Sequence, residues 1–81
     1  MTNREKLRQL LIDVFLLEPA EFHFDLRREE IDTWDSLGVI SIGVGLKETF
    51  GHHPTPAEAM ALSGVADIVR LLEAKGISLD G

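Results

Sequence analysis

The sequence predicts a small all-α bundle of four helical segments. In several stretches the apolar residues recur at steps of three or four positions, which is the period of an amphipathic helix. No stretch alternates apolar and polar residues as a half-buried strand does. Capping residues, prolines and glycines divide the periodic stretches from one another. We expect one domain over residues 1–81 with an ordered core from about 3 to 77, because 81 residues build a single small core.

The first helix is predicted from residue 3 to about residue 17. Thr2 and Glu5 have the spacing of a capping box, in which each side chain accepts a hydrogen bond from a backbone amide at the helix start. Pro19 is expected to stop the helix. The expected buried face consists of Leu7, Leu10, Leu11, Val14 and Phe15.

A long loop is predicted over residues 18–35, where no single period persists. Loops of this length usually serve a function or pack their own apolar side chains into the core. Phe22, Phe24 and Ile31 are the candidates for such packing.

The second helix is predicted from Ser36 to Phe50, with Gly51 as its stop. It is apolar over a wide arc. Three glycines inside it each cost up to about 1 kcal/mol relative to alanine, so packing must stabilise this helix. These glycines permit either close helix packing or an interior with free space. They are Gly38, Gly43 and Gly45.

Two shorter helices complete the predicted bundle. Thr55, Pro56 and Glu58 form the capping signature of a third helix that runs to about residue 60. Ser63 is expected to cap the last helix, which should end at Lys75-Gly76. The buried stripe of that helix is expected to be Val65, Ile68, Val69 and Leu72. We expect the chain after residue 77 to be loosely packed.

Composition narrows the classes of partner. The formal net charge of −6 repels nucleic acids and anionic membranes, and it attracts proteins with basic docking patches. The sequence has no cysteine, which excludes disulfides and thiolate nucleophiles and suits a reducing compartment. No apolar run approaches the length of a membrane span. We therefore expect a cytoplasmic protein, with a monomer as the default state.

The tripeptide Asp35-Ser36-Leu37, at the start of the second helix, is the strongest indication of function. The sequence resembles the acyl carrier protein family. The resemblance rests on this tripeptide, the preceding residues 32–34, the helix that ends at Phe50-Gly51, and the length and acidity of the chain. The resemblance covers nearly the whole chain and is strongest to discrete carriers of specialised, polyketide-type metabolism. It implies an acyl-carrier-type bundle with a long loop between helices 1 and 2 and a short helix 3. It also implies 4'-phosphopantetheine attached to Ser36, with Asp35 and Leu37 completing the attachment motif.

Physical chemistry independently supports Ser36 as an attachment site. A phosphodiester at a helix start faces unpaired amides and the positive end of the helix dipole. Because no side chain here forms a labile acyl thioester, that chemistry would belong to the thiol of the arm. We therefore expect no catalytic residue and no enzymatic activity. Asp35 would be read by a phosphopantetheinyl transferase. The alternative is that Asp35 and Ser36 are only helix caps.

The resemblance also implies a partner-docking face on the second helix. Its residues would be Leu37, Ile40, Val44 and Glu48, beside the mouth of a cavity for the acyl chain. The alternative for the apolar members is core packing. The expected partners are acyl-loading, condensing or acyl-transferring enzymes.

The second helix departs from the carriers of primary fatty acid biosynthesis, which bear more acidic residues along the docking face. Gly38, Ser41 and Lys47 stand where much of that charge is expected. Glu48 remains acidic, with Asp32 and Asp35 ahead of the helix. This pattern favours docking through shape and apolar contact over docking through charge.

Several alternatives remain at this point. Trp34 either packs against the long loop or acts as a recognition element near the arm. A metal site at His23, His52 and His53 is not expected, because adjacent histidines point in different directions and no partner sits at ligand spacing. The chain could also be a peptidyl or aminoacyl carrier that an adenylating enzyme loads. In another class, it could be an unmodified acidic helical adaptor.

Overall fold

The computed structural model of the protein describes residues 2–79, which form four α-helices around one apolar core. The helices are α1 (Asn3–Phe15), α2 (Ser36–Phe50), α3 (Pro56–Ala61) and α4 (Val65–Ala74). The connection between α1 and α2 contains two 3₁₀ turns, Pro19–Glu21 and Arg28–Glu30. No β-strand occurs among the described residues. The predicted all-α bundle, with its long first connection and short third helix, is confirmed.

The helix α1 begins where predicted and ends two residues early. The hydroxyl of Thr2 accepts a hydrogen bond from the Glu5 amide at 3.2 Å, which is one half of the expected capping box. Leu16 adopts a left-handed conformation with φ 57°, and its amide bonds to the Ile12 carbonyl. This turn ends the helix at Phe15. The prediction that Pro19 stops the helix is therefore wrong, since Pro19 opens the first 3₁₀ turn instead.

The long connection packs on α1 through its own apolar side chains. Ile31 is buried, and the rings of Phe22 and Phe24 meet edge to face with centroids 5.1 Å apart. The guanidinium of Arg8 lies over the Phe22 ring and that of Arg4 over the Phe24 ring, at 5.9 and 5.0 Å. The expected packing is confirmed for Ile31, and the two phenylalanines achieve it in part.

The helix α2 lies between α1 and α3 and has the predicted bounds. The Asp35 carboxylate accepts a hydrogen bond from the Gly38 amide at 3.0 Å, which caps its first turn. Gly51, with φ 76°, ends the helix, and its amide bonds to the Lys47 carbonyl at 2.9 Å. Ile42 is fully buried on the inner side.

The glycines of α2 serve two different purposes. A Cβ on Gly38 would lie 2.5 Å from the backbone carbonyl oxygen of Thr33, and one on Gly45 would lie 2.5 Å from Cδ1 of Leu10. A Cβ on Gly43 would come no closer than 3.7 Å to its nearest neighbour, Nε2 of His53. Gly38 and Gly45 thus permit close packing, whereas a Cβ on Gly43 would make only ordinary van der Waals contacts.

The helices α3 and α4 form as expected apart from one cap. Thr55 and Glu58 make the reciprocal capping box, with hydrogen bonds of 2.9 and 3.1 Å. The prediction that Ser63 caps α4 is wrong, because Gly64 holds the cap position. Ser63 instead donates its amide and hydroxyl to the Asp67 carboxylate, at 2.9 and 2.6 Å. In the predicted stripe of α4, Val69 is only partly buried and the others are buried, namely Val65, Ile68 and Leu72.

The chain after α4 is more firmly packed than predicted. Leu79 is only 2% exposed and belongs to the core, and its carbonyl accepts a hydrogen bond from the Arg4 amide at 3.1 Å. The side chain of Asn3 donates to the Ser78 carbonyl at 2.8 Å. The expectation of loose packing after residue 77 is therefore wrong as far as residue 79, and residues 80 and 81 lie outside the described residues. No helix in the described part of the chain is long and apolar enough to cross a membrane.

Replacing Gly38 with alanine is expected to lower the free energy of unfolding by about 1–3 kcal/mol, because the added Cβ would overlap a backbone carbonyl that cannot swing aside. The matched substitution Gly43→Ala meets only ordinary contacts and should raise it by up to about 1 kcal/mol. Urea unfolding followed by circular dichroism measures both. Equal effects of the two substitutions would contradict the close packing at Gly38.

Asp67→Asn is expected to destabilise the protein at neutral pH and to have less effect in acid. Hydrogen bonds from the hydroxyl and the backbone amide of Ser63 lower the pKa of Asp67. A carboxyl group with a lowered folded-state pKa stabilises the fold above its unfolded pKa, and this contribution is lost as the pH falls through the folded value. The difference in urea midpoint between wild type and variant should therefore shrink below about pH 4.

The control for this experiment is Arg70→Gln, which removes only an exposed ion pair with Asp67 at 3.3 Å and should change stability little. A midpoint difference for Asp67→Asn that stays constant down to low pH would show that the charge of Asp67 is not the cause.

Candidate functional site

Ser36 lies on the surface at the first residue of α2. Its hydroxyl makes no hydrogen bond within the described part of the chain. The neighbouring Asp35 is also exposed, but its carboxylate is engaged in capping the Gly38 amide. Asp35 thus caps α2, whether or not it has a further role, and Ser36 is exposed to solvent.

Three contacts hold the segment that precedes Ser36. The hydroxyl of Thr33 donates to the Phe15 carbonyl at 2.8 Å, at the C-terminal end of α1. The ring of Trp34 stacks on that of Phe15 with centroids 4.9 Å apart, and Trp34 is only 3% exposed. Nε of Arg28 donates to the Trp34 carbonyl at 3.1 Å. Trp34 is therefore buried, but its ring stacks on Phe15 of α1, whereas packing against the long loop was expected. The start of α2 is fixed in position.

Arg28 also links this segment to the turn before α4. Its amide donates to the Ser63 carbonyl at 2.9 Å, and the Val65 amide donates to the Leu26 carbonyl at the same distance. The role of Arg28 was not predicted from the sequence. Its partners are backbone carbonyls, which leave no complementary charged residue for a sequence pattern to reveal.

An apolar groove of about 290 Å³ opens beside Ser36, between α2 and α3. Most of its lining is hydrocarbon, and among the described residues His53 is the one ionisable side chain that lines it. The lining residues are Ser36, Val39, Ile40, Gly43, Val44, His53, Pro54, Pro56, Ala59 and Met60.

The outer side of α2 exposes large apolar side chains next to this groove. Leu37 is 72% exposed, Ile40 62% and Val44 46%, and Met60 across the groove is 57% exposed. Core packing, the alternative for these positions of α2, is therefore not what the structure shows. Glu48 is exposed further along the same helix. The structure thus leaves the expected docking residues accessible.

The two adjacent histidines have different surroundings. His53 is exposed, and its Nε2 faces α2 at Gly43. His52 is half-buried, and its Nε2 is enclosed without a hydrogen-bond partner in the structure. Within residues 2–79, no group of three or more His, Cys, Asp or Glu side chains could hold a metal ion.

The surroundings of Ser36 fit a phosphodiester. The amides at the start of an α-helix have no intrahelical partner, and Asp35 occupies only that of Gly38. An anion on Ser36 would therefore meet unpaired amides and the positive end of the α2 dipole, offset by the nearby carboxylates of Asp32 and Asp35. The groove beside Ser36 offers an apolar surface.

The sequence matches no protein-family model, and no curated protein matches it significantly.

Removal of the α2 cap is expected to destabilise the protein. Asp35→Ala leaves the Gly38 amide without its partner and should lower the free energy of unfolding by about 1 kcal/mol. Asp35→Asn, the matched control, retains a capping oxygen and should be close to wild type. Urea unfolding measures both variants. Equal losses would mean that the charge of Asp35, and not its hydrogen bond, stabilises the helix start.

Proposed function

We propose that the chain is an acyl carrier protein whose Ser36 carries 4'-phosphopantetheine. The observation that carries this proposal is an exposed serine hydroxyl at a firmly held helix start, beside an apolar groove. The motif Asp35-Ser36-Leu37 and its likeness to the carrier family agree with that geometry. The arm would supply the thiol that holds the acyl group as a thioester.

The chain itself contributes position and recognition to this function. Thr33, Trp34 and Arg28 fix the place of Ser36, so that a partner enzyme meets it without first ordering a loop. The net charge of −6 would draw basic partners, and the exposed apolar side chains of α2 would dock them. These partners would be a phosphopantetheinyl transferase and then acyl-loading, condensing or acyl-transferring enzymes of the cytoplasm.

The character of the docking face favours specialised, polyketide-type biosynthesis over primary fatty acid synthesis. Ser41 and Lys47 are exposed on α2, and Glu48 is its one acidic residue. Leu37 and Ile40 thus provide much of the contact surface. A peptidyl or aminoacyl carrier would use the same attachment site, and the loading enzyme that accepts the protein would distinguish the two.

One observation also suits an unmodified acidic adaptor. The apolar patch of Leu37, Ile40, Val44 and Met60 could bind a protein partner without any arm, because exposed apolar patches commonly mark interfaces. Modification of Ser36 decides between the two functions.

Incubation with coenzyme A, magnesium and a broad-specificity phosphopantetheinyl transferase is expected to add the mass of one phosphopantetheine, because the hydroxyl of Ser36 is accessible. Intact-mass spectrometry measures the gain. Ser36→Ala should abolish it. The matched control Ser41→Ala, which removes another exposed hydroxyl of α2, should leave it unchanged. A folded wild-type protein that gains no mass would contradict the carrier function and favour the adaptor.

A further inference from the structure

His53 places an ionisable side chain in an otherwise largely apolar groove lining. Its Nε2 lies 3.7 Å from the position that a Cβ on Gly43 would occupy, so the imidazole packs against α2 at that point of the groove lining. The nitrogen has no hydrogen-bond partner in the described chain. A purely hydrocarbon ligand that covered it would leave a polar atom unsatisfied, which is unfavourable. The groove therefore suits a ligand that is apolar near Ser36 and polar near His53.

The spacing along α2 can be compared with the length of the arm proposed for Ser36. Gly43 lies seven residues beyond Ser36, an axial rise of about 10 Å. Beyond its phosphate and one methylene, phosphopantetheine on Ser36 would place a carbon with two methyl groups, then a hydroxyl and an amide. The carbonyl of that amide comes about eight bonds from the Cα of Ser36, or roughly 10 Å when extended. The polar part of the arm would thus reach the level of His53.

We propose that the phosphopantetheine arm lies in the groove between α2 and α3, with its hydroxyl or first amide hydrogen-bonded to Nε2 of His53. This inference rests on the proposed attachment at Ser36. The two methyl groups of the arm pack against Val39 and Ile40, which line the part of the groove nearest Ser36. Either tautomer of His53 finds a partner, because the arm offers both donors and acceptors at this point.

The same arrangement determines where the acyl group lies. The arm continues past His53 with a second amide and the thiol, whereas Val44 is the last residue of α2 in the groove lining. The thioester therefore emerges beyond the groove. Small acyl groups are presented at the surface and are not enclosed in the bundle.

The test compares the unmodified and phosphopantetheinylated protein by NMR. We expect nuclear Overhauser effects between the methyl groups of the arm and Val39, Ile40 or Met60, together with a change in the imidazole nitrogen shifts of His53. His53→Ala should lower the ratio of docked to free arm about fivefold, the effect of one lost hydrogen bond. The shifts of the arm methyl groups report that ratio.

Two variants control for unrelated effects. His23→Ala removes an exposed imidazole outside the groove and should leave the docked fraction unchanged. His53→Gln retains a side-chain donor and acceptor and should restore part of the docking.

The outcomes separate this inference from the proposed function. A protein that gains no mass overturns both. A modified protein whose arm has the chemical shifts of free phosphopantetheine, without contacts to the groove, overturns the docking alone. Docking is also overturned if, after loading with a hexanoyl group, the acyl chain replaces the arm methyl groups in contact with Val39 and Ile40.

Discussion

The helix α2 carries more apolar surface than the remaining helices can cover, and the candidate site depends on this excess. Ile42 and Leu46 are fully buried on its inner side, whereas Leu37 and Ile40 stand exposed on the outer side. Burial of both sides would require a further layer of structure beyond the four helices of the described residues. The space between the uncovered side and α3 is the groove beside Ser36.

Close packing at the first turn of α2 fixes the position of this uncovered side and of Ser36. Gly38 has no side chain, so the helix can approach the Thr33 carbonyl, while the hydroxyl of Thr33 bonds to the end of α1. The ring of Trp34 stacks on that of Phe15, and Arg28 donates a hydrogen bond to the Trp34 carbonyl. Because these contacts form on folding, a partner that recognises Ser36 pays little entropy to order it.

Features that depend on residues close together in the sequence, such as the bounds of a helix, could be predicted. The bounds of α2 followed from the Asp35 cap and from Gly51, each of which satisfies a nearby backbone group. Contacts between distant residues were not predictable in this way: Leu79 is buried, and its carbonyl accepts a hydrogen bond from the amide of Arg4 near the opposite end of the described chain. Likewise, His53 becomes part of the site only once α3 has packed against α2.

The packing of the interior bears on how a carrier of this construction would treat its cargo. Ile42, Leu46 and Ile68 have no exposed surface, and Gly45 permits close packing of α2 on α1. Protein cores are packed as densely as organic crystals, so a hydrocarbon chain that entered here would have to displace these side chains. The groove requires no such displacement. A carrier whose arm occupies the groove would therefore present its thioester without opening the bundle, and protection of the acyl group from water would depend on the partner enzyme.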